Sequence, residues 1–136
     1  MELKELLAIQ PKDYLHEGFF ASDGSLREGI NGYYSLAMAY RCREEGLGPD
    51  RLKSLLDELA QIVASYSPSD EPERPLRPEA LSAFQRIRHE ADGIQSPTLT
   101  VLFEAAGPWV QDWNGFAAFA LHLQRIRAQL ALSCRR

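Results

Sequence analysis

The sequence is poor in the features that name a chemistry at sight. It holds two cysteines, Cys42 and Cys134, and neither lies in a CxxC or a Cys/His cluster. An isolated pair in a chain of this size reads as reduced thiols rather than a disulfide framework. No uncharged apolar run approaches the roughly 18 residues of a membrane span, and the longest, Gly115 to Leu123, is about half that. The opening MELKELLAIQ carries acidic residues and no continuous apolar core, so it is not read as a signal peptide, and a cytoplasmic protein is expected. Period-two alternation is missing, with TLTV at 98–101 the one short exception, which leaves little from which to build a sheet. There is no GxSxG, no HExxH, ExxH or H-x3-H pair, and no Gly-rich loop in a strand context that would cradle a phosphate. No cofactor is expected on these grounds.

Lysine is also scarce, at three against twelve arginines, a usage typical of a GC-rich genome and a bacterial source. The net charge of −4 is unevenly spread. Residues 1–66 carry seven basic and eleven acidic side chains, residues 67–77 add −1, and residues 78–136 come to +1. An acidic first half repels a phosphate backbone, and no aromatic residues are interleaved among Arg86, Arg88, Arg125, Arg127, Arg135 and Arg136 as base stacking needs. Neither nucleic acid nor membrane is expected as a partner.

What is present is helix. A length of 136 residues with 45% hydrophobic content suits one domain that buries its own core. The clearest signal is PDRLKSLLDELAQIVASY (49–66), where Leu52, Leu55, Leu56, Leu59, Ile62, Val63 and Tyr66 follow the spacing of one helix face. Pro49 suits the first helical turn. Before it, Ser25 and Glu28 have capping-box spacing for a helix that carries Ile30, Tyr33, Tyr34, Ala37, Met38 and Tyr40 and ends at Gly46. Gly29 and Gly32 inside that helix either let another backbone come close or mark a bend, and close packing is the preferred reading. ELKELLAIQ is a short helix stopped by Pro11, and KDYLHEGFFAS holds a turn or two with Tyr14, Leu15, Phe19 and Phe20 facing inward. Pro78 opens a helix closed by Gly93, and Ser96 with Pro97 opens another.

Between them, SPSDEPERPLR (67–77) has three prolines and one apolar residue, so it reads as an exposed connection between two helical clusters. Asn114–Gly115 reads as a break, after which a helix runs from about Phe116 to Leu132. That helix is apolar on two sides: Phe116, Phe119, Ala120, Leu123, Ile126 and Leu130 on one, Ala117, Leu121, Ala128 and Leu132 on the other. Such a helix is central, or half of a homodimer interface. YYSLAMAY has spacing similar to the first helix of a tetratricopeptide unit, but no copy recurs about 34 residues later, so the chain is not read as a repeat. The expected fold is all-α, a single domain over 1–136 of about five or six helices around the C-terminal one.

Candidate sites are sparse. GPWVQDWNGF (107–116) puts Trp109 and Trp113 four apart with Asp112 beside them. Two bulky anchors at a helix elbow belong in the core, yet one ring left exposed would make a partner-binding platform. Adjacent Tyr33 and Tyr34 cannot both point inward, and with Arg41 on the same helix they form a second binding candidate. His16, His89 and His122 are the weak candidates for a metal, since none has a ligand at ligand spacing and no metal is expected. Cys42, between Arg41 and Arg43, reads as a structural thiol and Glu104 as a surface carboxylate. The function expected is a non-catalytic, bacterial-type protein-interaction module (a stoichiometric inhibitor, immunity-type protein, adaptor or regulator) that binds a protein with a basic surface. The alternative is a small helical enzyme or a small-ligand or metal-binding protein with its site in the bundle core.

Overall fold

The computed structural model describes residues 3–66 and 78–134, so the Pro-rich connection at 67–77, with Leu76, lies outside the described residues. The fold is all-α: α1 (Leu3–Ala8), α2 (Pro11–Leu15), α3 (Glu28–Asn31), α4 (Tyr33–Glu44), α5 (Pro49–Tyr66), α6 (Pro78–Asp92), α7 (Pro97–Ala106) and α8 (Trp113–Cys134), with a single 3-10 turn at Gly107–Trp109. Five of these helices have ten residues or more. Among the described residues there is no strand, only an isolated antiparallel bridge between Phe20 and Leu26.

The C-terminal helix α8 is central. It packs on α4, α5 and α3, while α6 and α7 pair with each other and α6 closes against α5. Its inner stripe is buried at Phe116, Phe119, Leu123, Ile126 and Leu130. The outer stripe stays outside, with Ala117 and Ala128 exposed, Leu121 half-buried and Leu132 58% exposed. Phenylalanines from four segments meet on the inner side. Phe103 and Phe119 stand edge to face at 4.9 Å, Phe84 touches Phe103, Phe116 and Phe119, and Phe19 reaches Phe119 at 6.2 Å. Edge-to-face rings of this kind fix the angle at which helices meet as well as burying area.

Local chemistry explains most helix ends. Ser96 caps α7, its hydroxyl accepting from the Leu99 amide at 3.2 Å. Pro97, Pro49, Pro78 and Pro11 each stand at the first position of a helix, where a missing N–H is no loss. Two expectations fail here. The Ser25–Glu28 capping box does not form, because the Ser25 hydroxyl and amide both go to Asp23 Oδ1, at 2.6 and 2.9 Å, and close a tight turn instead. The helix then starts at Glu28 and breaks at Gly32, where the backbone leaves the helical region at φ −118°, ψ −118°. Gly29 does pack closely, but against a ring: a Cβ there would lie 2.3 Å from Tyr34 Cδ2.

Asn114–Gly115 is no break either. Asp112 caps α8, its Oδ1 accepting from the Gly115 amide at 2.8 Å, and the helix starts at Trp113. Gly115 is needed for room, since a Cβ would fall 2.0 Å from the Trp109 carbonyl oxygen. Gly46, by contrast, has open space and a φ of +81°. Gly115→Ala is therefore expected to destabilise by about 2–3 kcal/mol through backbone overpacking, and Gly46→Ala by about 1 kcal/mol through the left-handed conformation alone. Urea denaturation of both variants checks the order; equal losses would refute the close approach.

Candidate functional site

Two groupings among the described residues hold candidate side chains, one sealed and one open. The sealed one is His122 on α8, which is fully buried. Its Nδ1 lies 3.1 Å from the Ile30 carbonyl oxygen and 3.0 Å from Ser35 Oγ, and its Nε2 lies 2.6 Å from the Tyr14 hydroxyl. A carbonyl can only accept, so Nδ1 carries the proton and Nε2 accepts from Tyr14. Ser35 donates its own hydroxyl hydrogen to the same Ile30 carbonyl. A hydroxyl, an imidazole and a phenol in contact have the makings of a nucleophile and its base. Here the nitrogen facing Ser35 is the protonated one, and Ser35, Tyr14 and His122 are 0, 2 and 0% exposed. The imidazole cannot take the serine's proton, and no substrate can reach it. The cluster is structural.

Tyrosines extend from it to the surface. Tyr14 stacks on Tyr34 at 4.3 Å and 11°, and Tyr34 meets Tyr33, which is 44% exposed. One of the adjacent pair is thus exposed and the other half-buried, as the spacing requires. The Arg27 guanidinium sits 5.9 Å from the Tyr34 ring centre, donates to the carbonyls of Tyr14 and Gly18, and approaches Glu17 at 3.7 Å. It thereby satisfies the free carbonyl end of α2 and ties the 16–27 loop to it.

That loop forms one wall of the open place, a groove of about 440 Å3 whose other wall is the turn into α8. Glu17, Gly18, Phe19, Phe20 and Gly24 line it from the loop, and Trp109, Asp112, Asn114 and Gly115 from the turn. The two walls touch at Gly18, where φ is +79° and a Cβ would stand 2.9 Å from Trp109 Cε3. Backbone pairs hold the loop in shape: Arg27 N–H to the Phe19 carbonyl at 2.9 Å and Ala21 N–H to the Ser25 carbonyl at 2.8 Å. Trp109 is 42% exposed and Phe20 37% exposed, so two large apolar rings remain in solvent at a preformed concavity. Phe20 had been expected inside with Phe19. Only Phe19 is buried, because neighbours on an extended segment point to opposite sides.

Of the six binding candidates, Trp109 and Asp112 come together in this groove. Trp113 does not line it and is 7% exposed, its ring 5.4 Å from that of Phe116. Tyr34 connects to the rim through Arg27 and Glu17, with Tyr33 outside it. Arg41 is elsewhere: its guanidinium donates to Thr98 Oγ1 and Gln10 Oε1, next to the Glu45 carboxylate that binds the start of α7 through Ser96 and Thr98. His16 and His89 are exposed and do not join His122. Among the described residues no three His, Cys, Asp or Glu side chains form a metal-holding group. Burial, and then the Glu45 charge, push the Cys42 thiol up to about 12, so its flanking arginines do not activate it. Cys134 carries no described side chain, and Glu104 is exposed. Across α5 and α6, a hydrogen bond to Glu90 and burial raise the Glu58 carboxyl above its ordinary range.

No protein-family model, curated protein or solved structure matches the chain.

Sequence reasoning missed Glu17, Gly18 and Phe20. The signal was there in HEGFF, since the argument that separates Tyr33 from Tyr34 separates Phe19 from Phe20.

The sealed imidazole makes stability depend on acid. Burial pulls the His122 pKa from 6.5 down to about 4, with the Ile30 carbonyl only partly opposing it. Above pH 6.5 the group is neutral folded or unfolded and adds no pH dependence. Between 6.5 and about 4 only the unfolded chain takes up the proton, so stability falls as pH drops through that window and levels below it. The loss by pH 4 is about 3 kcal/mol. His122→Asn, which keeps a donor for Ile30, should lose about that much less than the native chain between pH 7 and pH 4 in urea unfolding. Parallel pH profiles would show that His122 titrates normally.

Proposed function

We propose that this chain is a non-catalytic protein-binding module of bacterial type, acting in the cytoplasm as a stoichiometric inhibitor, immunity-type protein, adaptor or regulator. The groove beside Trp109 is its docking site. One observation carries the reading: Trp109 and Phe20 stand in solvent on either wall of a preformed groove, while the polar cluster that could do chemistry is shut inside the core. Tryptophan is among the residues most enriched where truncation weakens a protein interface, and Trp109 and Phe20 stand together at one concavity rather than scattered singly over the surface. Rigid walls favour binding, because little ordering is left to do when the partner arrives. The partner is a protein with a basic surface, drawn by a net charge of −4 that lies in residues 1–66. The outer stripe of α8, ending on exposed Leu132, is where a second copy of the chain would pair. The enzyme or small-ligand reading, with a site drawn from His16, His89, His122, Glu104, Tyr34 and Trp109, has less support: among the described residues only Trp109 of that set lines the groove, and His122 is sealed in the core.

A photo-reactive phenylalanine analogue placed at Phe20 in the full chain tests this. In extract of the source organism it should capture one recurrent protein, and Trp109→Ala should cut that capture at least about tenfold, the loss of one interface anchor. The analogue at exposed Lys53 on α5 should not capture that protein. Capture indifferent to Trp109, equal from both positions, or absent from position 20 would overturn the assignment.

A further inference from the structure

Resting on that reading of the groove, we propose what fills it: an arginine side chain of the partner protein, its guanidinium against Trp109 and paired with the carboxylates of Glu17 and Asp112. The lining includes these two acids and no basic side chain, so its side-chain charge favours a cation, and the amide end of α8, which would otherwise draw an anion, is occupied by Asp112 Oδ1 on the Gly115 amide. Glu17 is held at the rim by Arg27 at 3.7 Å, yet its side chain remains 75% exposed and open to a second donor. Arg27 has already committed its Nη1 to the carbonyls of Tyr14 and Gly18 and does not line the groove. Asp112 uses Oδ1 on the Gly115 amide, which fixes the carboxylate in place at the groove's other wall.

The apolar part of the lining chooses among cations. Trp109 and Phe20 offer 42% and 37% of their surface beside those acids. A guanidinium is planar and weakly hydrated, so it lies against an indole while its edge donates a fork of hydrogen bonds to a carboxylate. An ammonium is compact and strongly hydrated and satisfies only one of these demands at a time. The walls are rigid at the point of contact, because Trp109 is wedged on Gly18 and its carbonyl on Gly115. A long, thin side chain entering from a partner's surface fits such a slot, whereas a bulky apolar residue would leave both carboxylates desolvated without a partner.

The test titrates the full chain with a capped Gly-Arg-Gly peptide and with its neutral citrulline counterpart, which keeps shape and loses charge. Backbone and indole NMR shifts at Gly18, Gly24, Trp109 and Gly115 report occupancy. The arginine peptide should move these signals and bind at least about tenfold more tightly than citrulline, with the lysine peptide between them. Glu17→Gln with Asp112→Asn, where asparagine still caps α8, should bring the arginine peptide to the citrulline level without changing the melting temperature appreciably. Equal binding of arginine and citrulline, an arginine affinity untouched by the double variant, or no shift with either peptide overturns the cation. None of those results alters Trp109-dependent capture at position 20, so the docking site and the identity of its occupant fail separately.

Discussion

One neutral imidazole holds the architecture together. His122 sits at the centre of α8 and bonds to three other elements at once: Tyr14 of α2, the carbonyl of Ile30 in α3 and the hydroxyl of Ser35 in α4. Its partners are 108, 92 and 87 residues away in sequence, so these bonds form only when the whole chain has come together. In a medium without water each unsatisfied polar atom would be expensive, and this arrangement satisfies all of them at once. The Phe84, Phe103, Phe116 and Phe119 rings supply area, but that imidazole supplies direction. It also orients Tyr14, and through Tyr14 the stack that ends at Tyr34 beside Arg27.

The groove follows from the same constraint. Tyr14 pins the end of α2, Arg27 seals its carbonyls, and the loop that leaves it must turn sharply at Gly18 and again at Gly24, both at positive φ. Across from it, the chain folds back so tightly between α7 and α8 that the Trp109 carbonyl lies over Gly115. Two glycines with no room for a side chain therefore bring the loop and the turn together, and Trp109 is squeezed outward between them. Its exposure is a result of the packing rather than a failure of it. An exposed ring in a cavity with fixed walls is a poor way to stabilise a monomer and a good way to meet a partner.

Much of this was legible before any coordinates. The stripe of α5, the proline starts of α5, α6 and α7, the Ser96 cap and the two-sided α8 follow from spacing, because a helix repeats every few residues and its ends use local chemistry; Pro11 reads as the stop of α1 and also opens α2. The failures were local competitions. Ser25 had two carboxylates within reach, Asp23 and Glu28, and took the nearer, which moved the start of α3. Asn114–Gly115 looked like a break because both residues favour turns, yet Asp112 captured the Gly115 amide and drew them into α8. His122 stands out in the sequence only as a weak metal candidate, because a histidine's partners lie in other segments and leave no periodic trace.

The sequence by itself determined that the chain is helical, where α5, α6 and α7 begin, which residues form the core stripe of α8, and that no catalytic motif is written in its spacing. Those properties rest on contacts between near neighbours, which a reader of the sequence can count. Only the tertiary structure decided that His122 is buried among Tyr14, Ile30 and Ser35, that Trp113 is buried while Trp109 is exposed, and that Phe20, Glu17 and Asp112 share a groove with Trp109. The His122 contacts and the groove depend on segments roughly ninety or more positions apart coming together, and the folded chain alone sets those distances.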